Sequence, residues 1–229
     1  MLIIQSIVNI SEVNFHIMSS IIKLKGKGVS RIINSKIMLS PLAGVTDKIF
    51  RKLVRKWAPD SLLFTEMINA TSLKHGYGTQ KLKQLELEEG PVGVQIFDNR
   101  PFAVSEAAKQ AEDSGAFLID INMGCPVKKI SRKGGGSALI NDRSLAVELV
   151  KRVSSAVKVP VTVKTRLGWE NKKENIEEFL LSLQDAGAEM ITIHGRTRKE
   201  GFSGKADWEM IGKIKELLEI PVIANGDIK

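Results

Sequence analysis

Short apolar runs rich in valine and isoleucine punctuate the chain: Ile37 to Leu42, Leu62 to Met67, Val92 to Phe97, Leu118 to Met123, Val161 to Arg166, Met190 to His194 and Val222 to Asn225. Runs of this length and composition predict buried strands. Between them the apolar spacing changes to a helical one. Ile176, Phe179, Leu180 and Leu183 fall at i, i+3, i+4 and i+7, and Gly187 is placed to end that helix. Asp142 precedes Leu145, Leu149, Val150 and Val153, and Asp207 precedes Ile211, Ile214 and Leu218, each where an N-cap belongs. Strand and helix in alternation predict an α/β protein with a parallel sheet.

The units resemble one another. DSGAFLIDIN (Asp113 to Asn122) aligns without gaps on DAGAEMITIH (Asp185 to His194), and PVGVQ, PVTVK and PVIAN share a Pro-Val opening. Their strands end on polar residues: Gln95, Asn122, Lys164, His194 and Asn225. Each alone is an ordinary first loop residue. Together they occupy equivalent positions, which in a parallel β/α barrel converge at the C-terminal mouth. A doubly wound sheet also alternates strand and helix, but internal repetition favours a TIM (β/α)8-type barrel.

Composition changes this picture little. The 229 residues suffice for one large α/β unit, and 43% hydrophobic with 26% charged residues is ordinary for a globular protein. The single cysteine excludes an internal disulfide framework and fits a reducing cytoplasm. MLIIQSIVNISEVNF is apolar but lacks a basic leader region and is interrupted by polar residues, so neither a signal peptide nor a membrane span is expected. The placement of the +8 net charge is more informative than its size. Lys128, Lys129, Arg132 and Lys133 follow the fourth run; Arg166, Lys172 and Lys173 follow the fifth; Arg196, Arg198, Lys199 and Lys205 follow the sixth. Three basic clusters around one mouth predict a collar for the phosphates of a nucleic acid.

His16, His75 and His194 lie in unrelated segments, so no metal site is expected, and neither a Walker sequence nor a serine elbow is present. Gly134 to Gly136 read as a mobile loop. Cys125 lies just past a strand end, stiffened by Pro126. A free thiol titrates near about 8.5 and is a proton donor at neutral pH. Neighbouring cations would instead favour a nucleophilic thiolate. The residues alone leave both roles open.

As an ordered set, LSPLAGVTDKIFR (Leu39 to Arg51), TEM (Thr65 to Met67), PVGVQIF, DINMGCPVKKI, VKTRLGW (Val163 to Trp169), ITIHGRTRKEGFSGKADW (Ile191 to Trp208) and PVIANGDI resemble the tRNA-dihydrouridine synthases, flavin enzymes that reduce uridine in tRNA. The resemblance runs from Ile37 to the last residue. It implies FMN as cofactor, NADPH as reductant, tRNA as partner and a cytoplasmic enzyme without membrane or metal. Pro41, Leu42 and Ala43 match the floor beneath the flavin. Gln95, Lys164 and His194 match its edge contacts, and Asn225, Gly226 and Asp227 the ribityl and phosphate end. Asn122, Arg166 and Arg196 match residues that hold the target uracil, Lys128 and Arg132 belong to the tRNA-gripping loop, and Cys125 matches the acid that protonates uracil C5.

The resemblance also sets expectations about extent. Residues 1–20 form an N-terminal extension of unknown role, and residues 21–229 a partial FMN-binding barrel that opens with a bottom-capping hairpin over residues 21–36. The eighth β/α unit, its Gly-Arg turn and the helical C-terminal domain have no counterpart after the seventh run. The first and seventh strands are therefore expected to face a gap, with Val222 and Ile223 partly exposed. Two other readings remain: an FMN-barrel reductase of a small substrate, and an inactive RNA-binding remnant.

Overall fold

The structure is a computed structural model and describes residues 4–7, 21–170 and 175–228. Seven parallel strand positions follow the sequence repeats: β4 (Ile37–Leu39), β5 (Leu63–Phe64), β7 (Val92–Phe97), β8 (Leu118–Asn122), β9 (Val161–Arg166), β10 (Met190–His194) and β11 (Val222–Asn225). They pair in that order, with β6 (Ile68–Asn69) a short addition on β7. The last three runs match their predicted bounds. The first stops at Leu39 because Pro41 has no N–H and the Leu42 N–H turns to Thr46 Oγ1 instead.

The helices α4 (Pro101–Asp113), α6 (Arg143–Ala156), α7 (Ile176–Asp185) and α8 (Trp208–Leu217) cover the outside of the sheet. Asp142 and Asp207 are N-caps, accepting from the N–H groups of Leu145 and Met210. Ile176, Phe179, Leu180 and Leu183 are all buried, as their spacing requires. Burial of each such side chain contributes about 1.5–3 kcal/mol, so these apolar stripes supply the main stabilisation of this part.

A hairpin of β2 (Ile22–Lys25) and β3 (Ser30–Ile33) closes the floor. Its Ile22, Leu24 and Ile33 pack with Met38, Leu62, Phe64, Leu118, Met190 and Ile223 in a second apolar cluster.

The expected gap is not there. Strand β1 (Ile4–Ile7) pairs antiparallel with both β4 and β11, so the strand positions form a closed ring in which β1 stands at the eighth. Val222 and Ile223 are fully buried, not exposed. The physical reason is the cost of two unsatisfied sheet edges, which the short segment Ile4–Ile7 removes by pairing with both. Helix α1 (Lys48–Trp57), which follows β4, is different from the other helices. It buries only Arg51, which pairs with Glu88, and leaves Ile49, Leu53 and Trp57 exposed along one face.

Candidate active site

Strand ends converge at the mouth on a cavity of about 790 Å³. Gln95, Asn122, Lys164, Arg166, His194 and Asn225 line it from five successive strands, β7 to β11. Pro41, Leu42 and Ala43 reach it from the β4–α1 turn, and Cys125 from the loop after β8. Arg196, Gly226 and Asp227 complete the sequence-marked residues on its wall. Lys128 and Arg132 do not line it; they lie exposed on and just after the short helix α5 (Lys128–Ser131).

Parallel register explains one buried layer. Gln95 stands opposite Asp120, and Asp120 opposite Thr162, on adjacent strands. Thr162 Oγ1 donates to Asp120 Oδ1 at 2.6 Å, and Gln95 Nε2 donates to Asp120 Oδ2 at 2.7 Å. Asn122 Nδ2 then donates to Gln95 Oε1 at 2.8 Å. The chain of bonds ends on backbone, where Asn122 Oδ1 accepts from the N–H groups of Gly124 and Cys125 at 3.2 and 3.0 Å. Burial pushes the Asp120 carboxyl up to about 6, against the lowering effects of Gln95, Thr162 and Lys164.

The cysteine loop is clamped from several sides. Arg166 Nε donates to the Gly124 carbonyl at 2.8 Å, and the Ser137 N–H to the Cys125 carbonyl at 3.1 Å. Gly135, Gly136 and Ser137 are buried beneath it, contrary to the expected mobile loop. Gly136 has φ +59°, and a Cβ there would stand 2.9 Å from the Cys125 carbonyl oxygen. The glycines allow close packing.

The cations divide into two sets. Lys164 Nζ donates to Asn225 Oδ1 at 3.1 Å, and burial, then the Arg166 charge, push its ammonium down to about 8. Burial lowers Arg166 to about 10; its NH1 is bonded to the carbonyls of Thr197 and Gly201. Arg196 is held by the Ser203 and Gly204 carbonyls and by Asp227 at 2.8 Å. His194 is pushed to about 3, by burial first and then by Lys164, Arg166 and Arg196, and is neutral at physiological pH. Arg166 and Arg196 therefore belong to the wall of the cavity, which the exposed Lys205 also lines, whereas Lys128, Lys129, Arg132, Lys133 and Lys199 are exposed outside it. Lys172 and Lys173 lie outside the described residues.

Three participants escaped the sequence reading. Asp120 sits inside an apolar run. Glu66, the middle residue of TEM, accepts the Gly44 N–H at 2.6 Å and pairs with Lys81, holding the turn that carries Ala43. Phe202 stands exposed at the mouth, its ring 6.1 Å from that of His194; its only signal is a place between glycine-rich turns.

The wall leaves one polar group open to a ligand. Asn225 Nδ2 is buried and has no hydrogen-bond partner among the described residues, leaving a donor for an acceptor in the cavity. Gly226 has φ +109°, and a Cβ there would meet His194 and Ala206 at 3.0 Å, so backbone rather than side chain faces the space. Among the described residues no group of three His, Cys, Asp or Glu could hold a metal, and no helix is long and apolar enough to cross a membrane.

Residues 38–229 match the family model described as dihydrouridine synthase (Dus). "Probable tRNA-dihydrouridine synthase 1" of Synechocystis is 52% identical over 87% of this chain and 56% of its own length. "tRNA-dihydrouridine synthase B" of Vibrio parahaemolyticus is 39% identical over 86% of this chain and 61% of its own. The chain thus spans little more than half the length of such relatives. Among solved structures, a variant of NCR from Zymomonas mobilis has a TM-score of 0.64 at 14% identity, over 93% of this chain and 80% of that one. Histamine dehydrogenase from Rhizobium sp. 4-9 has the same TM-score at 13% identity, over 87% of this chain and 41% of that one. At that identity the likeness concerns the fold alone.

Proposed function

The chain belongs to the dihydrouridine synthase family, and from that premise we propose that it reduces uridine to 5,6-dihydrouridine in tRNA, with FMN as cofactor and NADPH as reductant. The observation that carries this reading is the meeting of Cys125 with Lys164, His194, Asn225 and the Pro41–Ala43 turn around one cavity. Pro41, Leu42 and Ala43 would form the floor for FMN, Gln95, Lys164 and His194 its edge contacts, and Asn225, Gly226 and Asp227 its far end. When bound, FMN supplies the hydride that uracil C6 receives.

The protein's own residues do the rest. Hydride addition at C6 leaves negative charge on C5 and the C4 carbonyl, and the Cys125 thiol gives its proton to C5. Asn122 and Arg166 orient the uracil. Lys164 places a positive charge beside the ring system below about pH 8, where it is protonated. His194, being neutral, contributes hydrogen bonds without adding to that charge. Lys128, Arg132 and the other exposed cations around the mouth favour a polyanionic tRNA over a small neutral substrate. Such a substrate places the protein in the cytoplasm.

The test uses the full chain with added FMN and NADPH, scoring dihydrouridine in tRNA by mass spectrometry. Cys125→Ala is expected to keep NADPH oxidation and to lose about 10²–10⁴-fold in tRNA reduction. An undiminished rate in that variant would remove the acid role, and absence of dihydrouridine with the parent chain would remove the function.

A further inference from the structure

We propose that Asp120 is a positioning residue: as a carboxylate it fixes the polarity of the Gln95–Asn122 pair, so that Asn122 presents an N–H to the mouth. This rests on the reading of the mouth as the place where uracil binds, and extends it to a residue that touches neither substrate nor cofactor.

The donors and acceptors of this chain of bonds are fixed in turn from its backbone end. The N–H groups of Gly124 and Cys125 can only donate, so the Asn122 atom facing them is Oδ1. Its Nδ2 must then face Gln95, whose matching atom is Oε1. That leaves Gln95 Nε2 pointing at Asp120, which must accept. The other Asp120 oxygen accepts from Thr162 Oγ1. With Thr162 donating, both oxygens act as acceptors, the pattern of an ionised carboxylate.

One hydrogen of Asn122 Nδ2 is bonded to Gln95; the other faces Met67 Sδ at 3.8 Å, a weak acceptor that a better one displaces. An N–H presented at this point suits a carbonyl oxygen on the base, and opposes an exocyclic amine donor to donor. Because Asn122 Oδ1 also holds the Cys125 N–H, the polarity that the backbone fixes at one end and Asp120 secures at the other is shared by the base contact and the thiol loop.

That ionised state is the one that burial opposes, since Asp120 is 1% exposed. Its carboxyl is held near 6, and the charged group acting on it is Lys164 from β9; Gln95 and Thr162 are its neutral neighbours from β7 and β9. Lys164 itself feels Arg166 and Cys125 and titrates near 8, on the other side of neutrality. Below about pH 6 Asp120 gains a proton, one oxygen turns from acceptor to donor, and the hold on the pair from the Asp120 end weakens.

The test reads the side-chain amides directly. In the ¹⁵N-labelled full chain, the Gln95 Nε2 and Asn122 Nδ2 signals are expected to move with a midpoint near pH 6. Thr162→Val, which deletes one lowering bond, should raise that midpoint by about one unit. Asp120→Asn should abolish the titration and, with FMN, NADPH and tRNA, lower dihydrouridine formation at least about tenfold while removing its acid limb. Amide signals that do not move between pH 5 and 8 in the parent would overturn the proposal. So would an Asp120→Asn variant with the parent's rate at every pH. A parent that makes no dihydrouridine sinks the proposed function, and the amide titration then decides the role of Asp120 alone. If Asp120→Asn does not fold, the direction of the Thr162→Val shift decides.

Discussion

The arc from β7 to β10 and the seam where β11, β1 and β4 meet use similar apolar strands but are held in different ways. In the arc every strand is parallel to its neighbours, and α4, α6 and α7 press Val104, Ala108, Leu149, Val153, Phe179 and Leu183 onto it with almost no exposure. At the seam the strand between β11 and β4 runs the other way, and α1 beside it buries a single arginine while Ile49 is 80% and Trp57 86% exposed. The arc is held by side-chain packing. At the seam, backbone pairing of β1 with both neighbours satisfies the strand edges, Val222 and Ile223 of β11 are fully buried, and α1 adds no buried apolar side chain of its own. The buried polar layer of Gln95, Asp120 and Thr162 lies wholly within the arc, whereas the cavity takes its lining from both regions.

The largest effect is expected from breaking the arc. Phe179→Ala removes a ring that is 1% exposed and should destabilise the protein by about 3–5 kcal/mol in urea unfolding. A loss under about 1 kcal/mol would mean that the arc is packed no better than the seam.

Asp120 sharpens the contrast, because it is a charge that the arc buries at a cost. Its folded pKa is raised from 3.8 to about 6, so the stability it permits is fully present below pH 4 and is lost as pH rises through 6. The Asp120→Asn variant has no such loss. Its stability relative to the parent should therefore grow by about 3 kcal/mol between pH 4 and pH 7.5. A difference that is flat over that window would show that the carboxylate is not strained by burial.

Removing residues 1–7 tests the seam. Loss of a few net hydrogen bonds should cost about 2–3 kcal/mol and expose the edges of β4 and β11. Light scattering should then report oligomers where the parent is smaller. The smallest effect belongs to Trp57→Ser, expected within about 0.5 kcal/mol of the parent because the ring is mostly in water. A loss above 2 kcal/mol there would mean that α1 is covered after all.

The arc was more legible in the sequence than the seam, for a physical reason. Val161 to Arg166 and Met190 to His194 announce themselves as strands because burial on both faces demands unbroken apolar runs, and Asp142 and Asp207 announce helix starts because N–H groups need acceptors. The pairing of residues 4–7 carries no such mark, since any short apolar segment can satisfy two open edges. At the mouth, polar strand ends located Gln95, Asn122, Lys164, His194 and Asn225. Asp120 was hidden by its apolar neighbours, and its bonds depend on the register of three strands, which local pattern does not state. The glycines after Cys125 were misread for a related reason. A run of glycine has the same composition whether it is loose or, as here, pressed against the backbone of another loop.

That last contact limits how the thiol can reach anything. With the N–H and carbonyl of Cys125 both bonded, and the Gly124 carbonyl held by Arg166, the backbone around the sulfur has little freedom to swing. What remains is rotation about one bond. Staggered geometry allows the sulfur about three stations on a small circle around a nearly stationary Cβ. In the proposed reaction, delivery of its proton would then be closer to the throw of a short lever than to the closing of a flap. The base would have to be brought within that reach by the parts of the protein that hold it.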